Sequence, residues 1–268
     1  MRLSSRKKYF FASDFHLGLS AKTVSEDRER KIIRWLTSIQ SEAKSIFLVG
    51  DLFDFWFEYK TTVPKGYVRF LGKLAELKDA GIDIFIFTGN HDLWMRDYFP
   101  KELNIPVYHK PIIKEIEGKK FMIGHGDGLG PKDKGYKILK KVFTNPFCKW
   151  AFRQIHPDFG IRLANYFSKK SRYAQKPEEH KLKNLEDEWL YLYAREKAKN
   201  TDINYFVFGH RHLPLDIEIK KDCRYLNLGD WLDYFTYAVY DGKKMEIKIF
   251  ENEHDSFPVY VHTLAGKS

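Results

Sequence analysis

The amino-acid sequence predicts an α/β fold in which two sheets lie face to face with helices outside. Three observations lead there. The first part of the chain alternates short apolar runs with helical periodicity, a βαβα order that places parallel strands beneath packed helices. From Lys114 onward hairpin signals take over. The composition, 43% hydrophobic and 16% aromatic over 268 residues, is that of a globular chain able to build a sizeable core.

The elements follow in order. Tyr9–Ser13 is a short apolar run, read as a buried strand. Ser25–Ala43 is read as a helix, with Ile32, Ile33, Trp35, Leu36 and Ile39 on its apolar side. Ser45–Val49 is a second strand. Val68–Ala80 is a helix stopped by Gly81, and Ile82–Phe87 a third strand. Ile112–Ile116 and Phe121–Ile123 flank a Glu117-Gly118 turn. Phe235–Tyr240 and Met245–Phe250 flank Asp241-Gly242, a strong hairpin signal. Asn204–Phe208, Leu215–Ile219 and Tyr225–Leu228 complete a strand-rich C-terminal half. Between them the periodicity is that of short amphipathic helices, with Asn145-Pro146 and Pro157-Asp158 as helix starts. The expected organisation is a core of residues 1–130 and 201–268, interrupted by a basic, apolar helical insertion at 131–200.

Charge is concentrated in that insertion. Twelve Lys and Arg between Lys132 and Lys176 face only Asp133 and Asp158, a balance of +10 that equals the net charge of the whole chain. Phe143, Phe147, Trp150, Phe152 and Phe159 share the same short helices. A solvated basic face is the plain reading. A surface meeting anionic lipid, an anionic substrate or nucleic acid is the sharper one, and the interleaved aromatics favour lipid. Nucleic acid is not expected as a partner. Cys148 and Cys223 are the only cysteines, which excludes a disulfide framework and a thiolate zinc site. No apolar run approaches a membrane span, and Asp14 and His16 interrupt the N-terminal apolar stretch before it resembles a secretory signal. A cytoplasmic protein is expected.

Compact polar motifs follow the strands. Asp14-Phe15-His16 comes after the first and Gly50-Asp51-Leu52-Phe53-Asp54 after the second. Gly89-Asn90-His91-Asp92 comes after the third. Gly124-His125-Gly126-Asp127 and Gly209-His210-Arg211-His212 follow two of the later strands. In an α/β sheet the carboxyl ends of the strands line one crevice, so motifs far apart in sequence converge there. Carboxylates, imidazoles and one amide suit two Mn, Fe or Zn ions in mixed N/O coordination. Asp51 is the best bridging carboxylate between two ions about 3.5–4 Å apart. Asp54, Asp127 and Asp230 are expected to orient imidazoles, with plain turn carboxylates as the alternative.

The ordered set D-x-H, G-D-x-x-D, G-N-H-D, G-H-G-D, G-H-x-H resembles the calcineurin-like metallophosphoesterases, and spans Asp14 to His212. The resemblance implies a four-layer α/β/β/α sandwich. It implies one metal on Asp14, His16, Asp51 and His212, and a second on Asp51, Asn90, His125 and His210. A narrower resemblance is to the UDP-2,3-diacylglucosamine pyrophosphohydrolases of lipid A synthesis. It rests on Asp14–Gly18, His125–Leu129, Asp133, Tyr136, Ser168–Ser171 and Leu228–Trp231. That family implies cleavage to UMP and 2,3-diacylglucosamine 1-phosphate, and peripheral association with the inner membrane. Its insertion caps the site and takes the acyl chains. Asn90, Asp133, Ser171, Gln175 and His210 carry over as substrate contacts. The best-known branch has Arg where this chain has His91, the residue that general phosphoesterases place there. His91, held by Asp92, is the expected acid for the leaving oxygen. The alternative is a metal-dependent phosphatase or phosphodiesterase for another nucleotide, phospholipid or phosphoprotein.

Overall fold

The computed structural model describes residues 7–19, 22–130, 134–163, 184–251 and 260–262. Two six-stranded sheets are stacked. In spatial order the first holds β11 (Met245–Ile249), β10 (Thr236–Tyr240), β1 (Lys8–Ala12), β2 (Ala43–Val49), β3 (Asp83–Phe87) and β4 (Val107–Tyr108). The second holds β12 (Tyr260–His262), β8 (Pro214–Lys220), β9 (Cys223–Leu228), β7 (Tyr205–Phe208), β6 (Lys119–Ile123) and β5 (Ile112–Ile116). β1 through β4 run parallel, as the βαβα order requires. β6, β7 and β9 are parallel in the second sheet.

Side chains alternate along each strand, and that alternation builds the layers. Phe10, Ala12, Ile46, Leu48, Ile84 and Ile86 face outward from the first sheet. They pack on Ile32, Trp35 and Leu36 of α1 (Lys22–Ile39) and on Phe70 and Leu74 of α2 (Val68–Asp79). Phe11, Phe47, Val49 and Phe87 face inward and meet Phe121, Ile123, Val207 and Leu226 of the second sheet. Phe11 stacks on Phe47 at 4.7 Å, Phe47 on Phe85 at 4.8 Å, and Phe11 on Phe121 across the sheets at 5.9 Å. On the far side Phe206, Phe208, Leu215 and Tyr225 pack on Leu190, Ala194 and Ala198 of a helix at Trp189–Lys199. Helix, sheet, sheet, helix is the four-layer sandwich that the resemblance implied.

The expected strands form, with ends displaced by a residue or two. The helix expected to reach Ala43 stops at Ile39, because Ala43 already pairs with Lys8 and opens β2. Glu117 and Gly118 both take positive φ, 49° and 74°, which closes the β5–β6 hairpin.

After the short α3 (Tyr98–Leu103) comes the insertion, where α4 (Lys134–Thr144) and α5 (Pro146–Arg153) are joined at Asn145, whose side chain accepts from Phe147 N and Cys148 N as an N-cap. Residues 157–163 form α6, so Trp189–Lys199 is α7. The insertion docks through aromatic rings. Phe152 lies 4.7 Å from Phe57 and 4.9 Å from Trp94, and Trp94 Nε1 donates to the Phe143 carbonyl at 2.7 Å. Phe147, Trp150 and Phe159 stay 70%, 57% and 62% exposed. Among the described residues no helix is long and apolar enough to cross a membrane.

Candidate metal centre

The polar motifs meet at the carboxyl ends of strands from both sheets. β1, β2 and β3 deliver Asp14, His16, Asp51 and Asn90; β6 and β7 deliver His125, His210 and His212. The turns that carry them are tight. Asp14, His16, Asp51, His210 and His212 take φ of 58°, 45°, 51°, 70° and 53°, a left-handed region that non-glycine residues rarely occupy and that costs energy at each position. The strain is held by interlocked loops. Asp14 N donates to Gly50 O at 3.0 Å, His16 N to Asp51 O at 2.9 Å, and Trp231 N to Asp14 O at 3.1 Å. Glycine is needed where ligands crowd the backbone. A Cβ at Gly89 would fall 2.1 Å from Asp51 Oδ1, and one at Gly209 would fall 2.5 Å from Asp14 Oδ2.

Hydrogen bonds settle which atoms remain for a ligand. His125 Nδ1 donates to the Val49 carbonyl at 2.9 Å, leaving a lone pair on Nε2. That atom faces Asp51 Oδ2 at 3.3 Å and Asn90 Oδ1 at 3.3 Å. His212 Nδ1 bonds Asp230 Oδ2 at 3.0 Å, and its Nε2 faces Asp14 Oδ1 and His16 Nε2, each at 3.3 Å. His16 Nε2 in turn lies 3.8 Å from Asp51 Oδ2. Asp51 Oδ1 accepts from His91 N at 2.9 Å, so Oδ2 is the oxygen turned between the two groups. Asp14 Oδ2 accepts from His210 N at 3.0 Å, while Asp14 Oδ1 is buried with no hydrogen-bond partner. Asp14, His16 and His212 can offer ligand atoms within 4.8 Å of one another, as can Asp51, His125 and His210. Together with His16, Asp51 and His91, which form a third such group overlapping both, these clusters of acceptors call for positive charge. The buried, unpartnered Asp14 oxygen shows the same fit to a cation.

Residues 7–214 match the family described as calcineurin-like phosphoesterase. The chain belongs to that family. Membership implies divalent metal ions, and the acceptor clusters fit them. Among curated relatives of this phosphoesterase is the UDP-2,3-diacylglucosamine hydrolase of Porphyromonas gingivalis, 39% identical over 92% of this chain and 99% of its own length. The enzyme of that name from Vibrio parahaemolyticus is 26% identical over 82% and 89%. Among solved structures, a dimetal phosphatase from Danio rerio covers 91% of this chain and 96% of its own, with 9% identity and a TM-score of 0.46.

The electrostatics of this phosphoesterase centre favour positive charge. Burial opposes a charged His125, but Asp51 and Asp14 outweigh it and raise its pKa to about 10, so a metal ion on Nε2 would take the place of a proton there. Burial and the neighbouring His125 push His210 down to about 3, so His210 stays neutral with one ring nitrogen able to ligate at neutral pH. Burial, with Asp51 nearby, lifts Asp92 to about 7.

Of the residues singled out in the sequence, Asp14, His16, Asp51, Asn90, His125, His210 and His212 are gathered here. Asp133, Ser171 and Gln175 lie outside the described residues. His91 stands beside the centre, its ring edge-on to His16 at 5.0 Å. The expected support of His91 by Asp92 takes a different form. Asp92 turns away and accepts from Gly89 N at 2.7 Å and Leu52 N at 2.8 Å, which pins the third motif to the second. His91 Nδ1 bonds the Asp54 carbonyl at 3.0 Å instead. Other supports have no motif to announce them. Arg28 of α1 donates to the His16 carbonyl at 2.9 Å. Glu188, fully buried, accepts from Arg211 Nε at 2.9 Å and Tyr225 OH at 3.2 Å behind the last motif. Trp189 lies edge-on to His210 at 5.6 Å. Arg211 could be suspected from its place between two histidines; Arg28 and Glu188 sit in ordinary helical surroundings.

Proposed function

We propose that this phosphoesterase hydrolyses UDP-2,3-diacylglucosamine to UMP and 2,3-diacylglucosamine 1-phosphate, a step of lipid A biosynthesis. The observation that carries the chemistry is the pair of acceptor clusters meeting at Asp51 Oδ2. Support for the substrate comes from the relatives that carry that name over nearly the whole chain and from the basic, aromatic insertion.

In this reading Asp14, His16, Asp51 and His212 hold one ion, and Asp51, Asn90, His125 and His210 the other. Manganese is the ion proposed, with iron and zinc compatible with the donor set. Bound divalent ions would supply Lewis acidity toward the phosphoryl oxygens and lower the pKa of water. The residues do the rest. Asn90 and His210 orient the phosphate under attack, so water approaches phosphorus in line with the bridging oxygen. His91 has its Nδ1 proton committed to the Asp54 carbonyl. A proton on its Nε2 would serve the oxygen that leaves with the sugar. Asp133, Ser171 and Gln175 are proposed to contact the sugar nucleotide. The insertion is proposed to cap the centre and take the acyl chains. Phe147, Trp150 and Phe159, set among Lys and Arg, suit peripheral attachment to the anionic inner membrane from the cytoplasmic side.

The test is UMP release from UDP-2,3-diacylglucosamine in mixed micelles with added manganese, using Asp51→Ala as control. UMP above the control is expected. His91 in place of the Arg of the best-known branch favours a second reading, a phosphodiesterase for another substrate. Cleavage of simple diesters without UMP release would select it.

A further inference from the structure

Three cations stand between the insertion and the first sheet with no carboxylate at ion-pair distance among the described residues, although one of them, Arg96, is exposed and acts on its neighbour Asp97. Lys149 and Arg153 are one turn apart on α5 and share a helix face, and both are only partly exposed. Arg96, in the loop that follows the Gly89–Asp92 turn, bears on Lys149 from the core side. Burial and the like charges of Arg96 and Arg153 push the Lys149 ammonium below its ordinary range. Among the described residues none of the three forms an ion pair, and Arg153 Nε is buried with no hydrogen-bond acceptor. Other cations here do have partners: Lys140 has Asp127, Arg211 has Glu188 and Arg224 has Asp216. A buried, unanswered guanidinium nitrogen beside two further cations costs stability.

The place of the group in the fold indicates what would answer it. β3 and β4 pair at Phe87 and Tyr108, so Thr88 and His109 stand side by side at the carboxyl end of the sheet. Thr88 Oγ1 lies 3.5 Å from His109 Nδ1. Lys149 and Lys140 both act on His109, and Lys140 is bonded to Asp127, two residues past His125. The cations therefore lie on the side from which Lys140 of the insertion reaches Asp127.

The geometry points to an anion subsite of Arg96, Lys149 and Arg153 that binds a phosphate ester group of the substrate other than the one hydrolysed. Guanidinium groups match phosphate oxygens in forked geometry, and a lysine adds a point charge. The identity of the ester rests on the hydrolase reading, in which it is the phosphate that leaves on the acylated sugar. The existence of the subsite does not.

Lys149→Met and Arg153→Met keep the apolar stems and remove the charge. The readout is the ratio of kcat/KM for UDP-2,3-diacylglucosamine to that for bis(p-nitrophenyl) phosphate, which offers a single phosphoryl group. One charged hydrogen bond lost predicts a ~10- to 100-fold fall in that ratio for each variant, carried mainly by KM. Arg153→Lys recovers part of it. Both Met variants melt at or above the wild-type temperature, because like-charge repulsion is relieved. A ratio within twofold of wild type overturns the proposal. So does loss of binding to phosphatidylglycerol vesicles with the ratio intact, which would assign the anion to a lipid headgroup. Should wild-type protein release no UMP, the substrate reading fails and calorimetry with glucosamine 1-phosphate decides the subsite. Binding at least tenfold weaker in Lys149→Met upholds it, and equal or no binding refutes it.

Discussion

Replacing Asp230 by Asn changes one hydrogen-bond role and almost no volume. Asp230 is buried; its Oδ1 accepts from the amides of Leu232, Asp233 and Tyr234 at 3.2, 2.9 and 3.0 Å, and its Oδ2 bonds His212 Nδ1 at 3.0 Å. Burial opposes its charge, but the bond to His212 and the turn amides hold its pKa below the usual carboxylate value. The Asn carbonyl keeps the three amide bonds, so its NH2 points at His212 Nδ1. The imidazole must then present a lone pair at Nδ1 and carry its proton on Nε2, the atom 3.3 Å from Asp14 Oδ1. A protonated Nε2 cannot ligate. Loss of such a carboxylate support costs roughly 10- to 100-fold in metal affinity, about 1.4–2.8 kcal/mol. The assay is competition for manganese with a fluorescent chelator. One of two ions should weaken by that factor while the ion on the Asn90 side holds, and the metal-free melting temperature should change little. Two unchanged affinities would refute the tautomer reasoning. Equal loss of both ions in a well-folded variant would show that the two clusters do not bind separately.

Asp51→Ala removes the oxygen turned toward both clusters, so calorimetry should find neither ion bound tightly and hydrolysis should fall by about a thousandfold or more. Gly89→Ala drives a methyl to within 2.1 Å of Asp51 Oδ1. A penalty of about 1–3 kcal/mol is expected in denaturant titration, together with weakened metal binding. Phe147→Ser with Trp150→Ser removes two exposed rings; the melting temperature should stay within a few degrees, about 0.5 kcal/mol per site. Co-sedimentation with anionic vesicles should drop severalfold. Cys223 is buried and its thiol pushed up to about 11 by that burial. A thiol reagent should therefore label only Cys148 in the native protein and both cysteines after denaturation.

Much of this architecture is written locally. The strands β1, β2 and β3 are apolar runs, and each is followed at once by candidate ligands. A reader of the chain can thus place Asp14, Asp51, Asn90, His125 and His210 at strand ends without coordinates. Tertiary facts are written elsewhere. The six residues Tyr98–Leu103 carry a proline and too short a period to announce a helix; Glu58, reaching across to the amides of Arg96, Asp97 and Tyr98, holds its start. Asp92 looks like a partner for the imidazole next to it, yet a turn points adjacent side chains apart, and its oxygens go to Gly89 and Leu52. Glu188 gives no local sign at all, since its partners Arg211 and Tyr225 come from a loop and a strand far along the chain.

The ring column formed by Phe85, Phe47, Phe11 and Phe121 joins two sheets that each supply only part of the candidate ion-binding shell. Asp14, His16, Asp51 and Asn90 ride on one sheet, and His125, His210 and His212 on the other. A sliding movement between the sheets would pull the shell apart before any strand unravels. Divalent-metal affinity should therefore gauge how well this distant hydrophobic seam is packed. Heating or mild denaturant should release the ions while circular dichroism still reports intact strands.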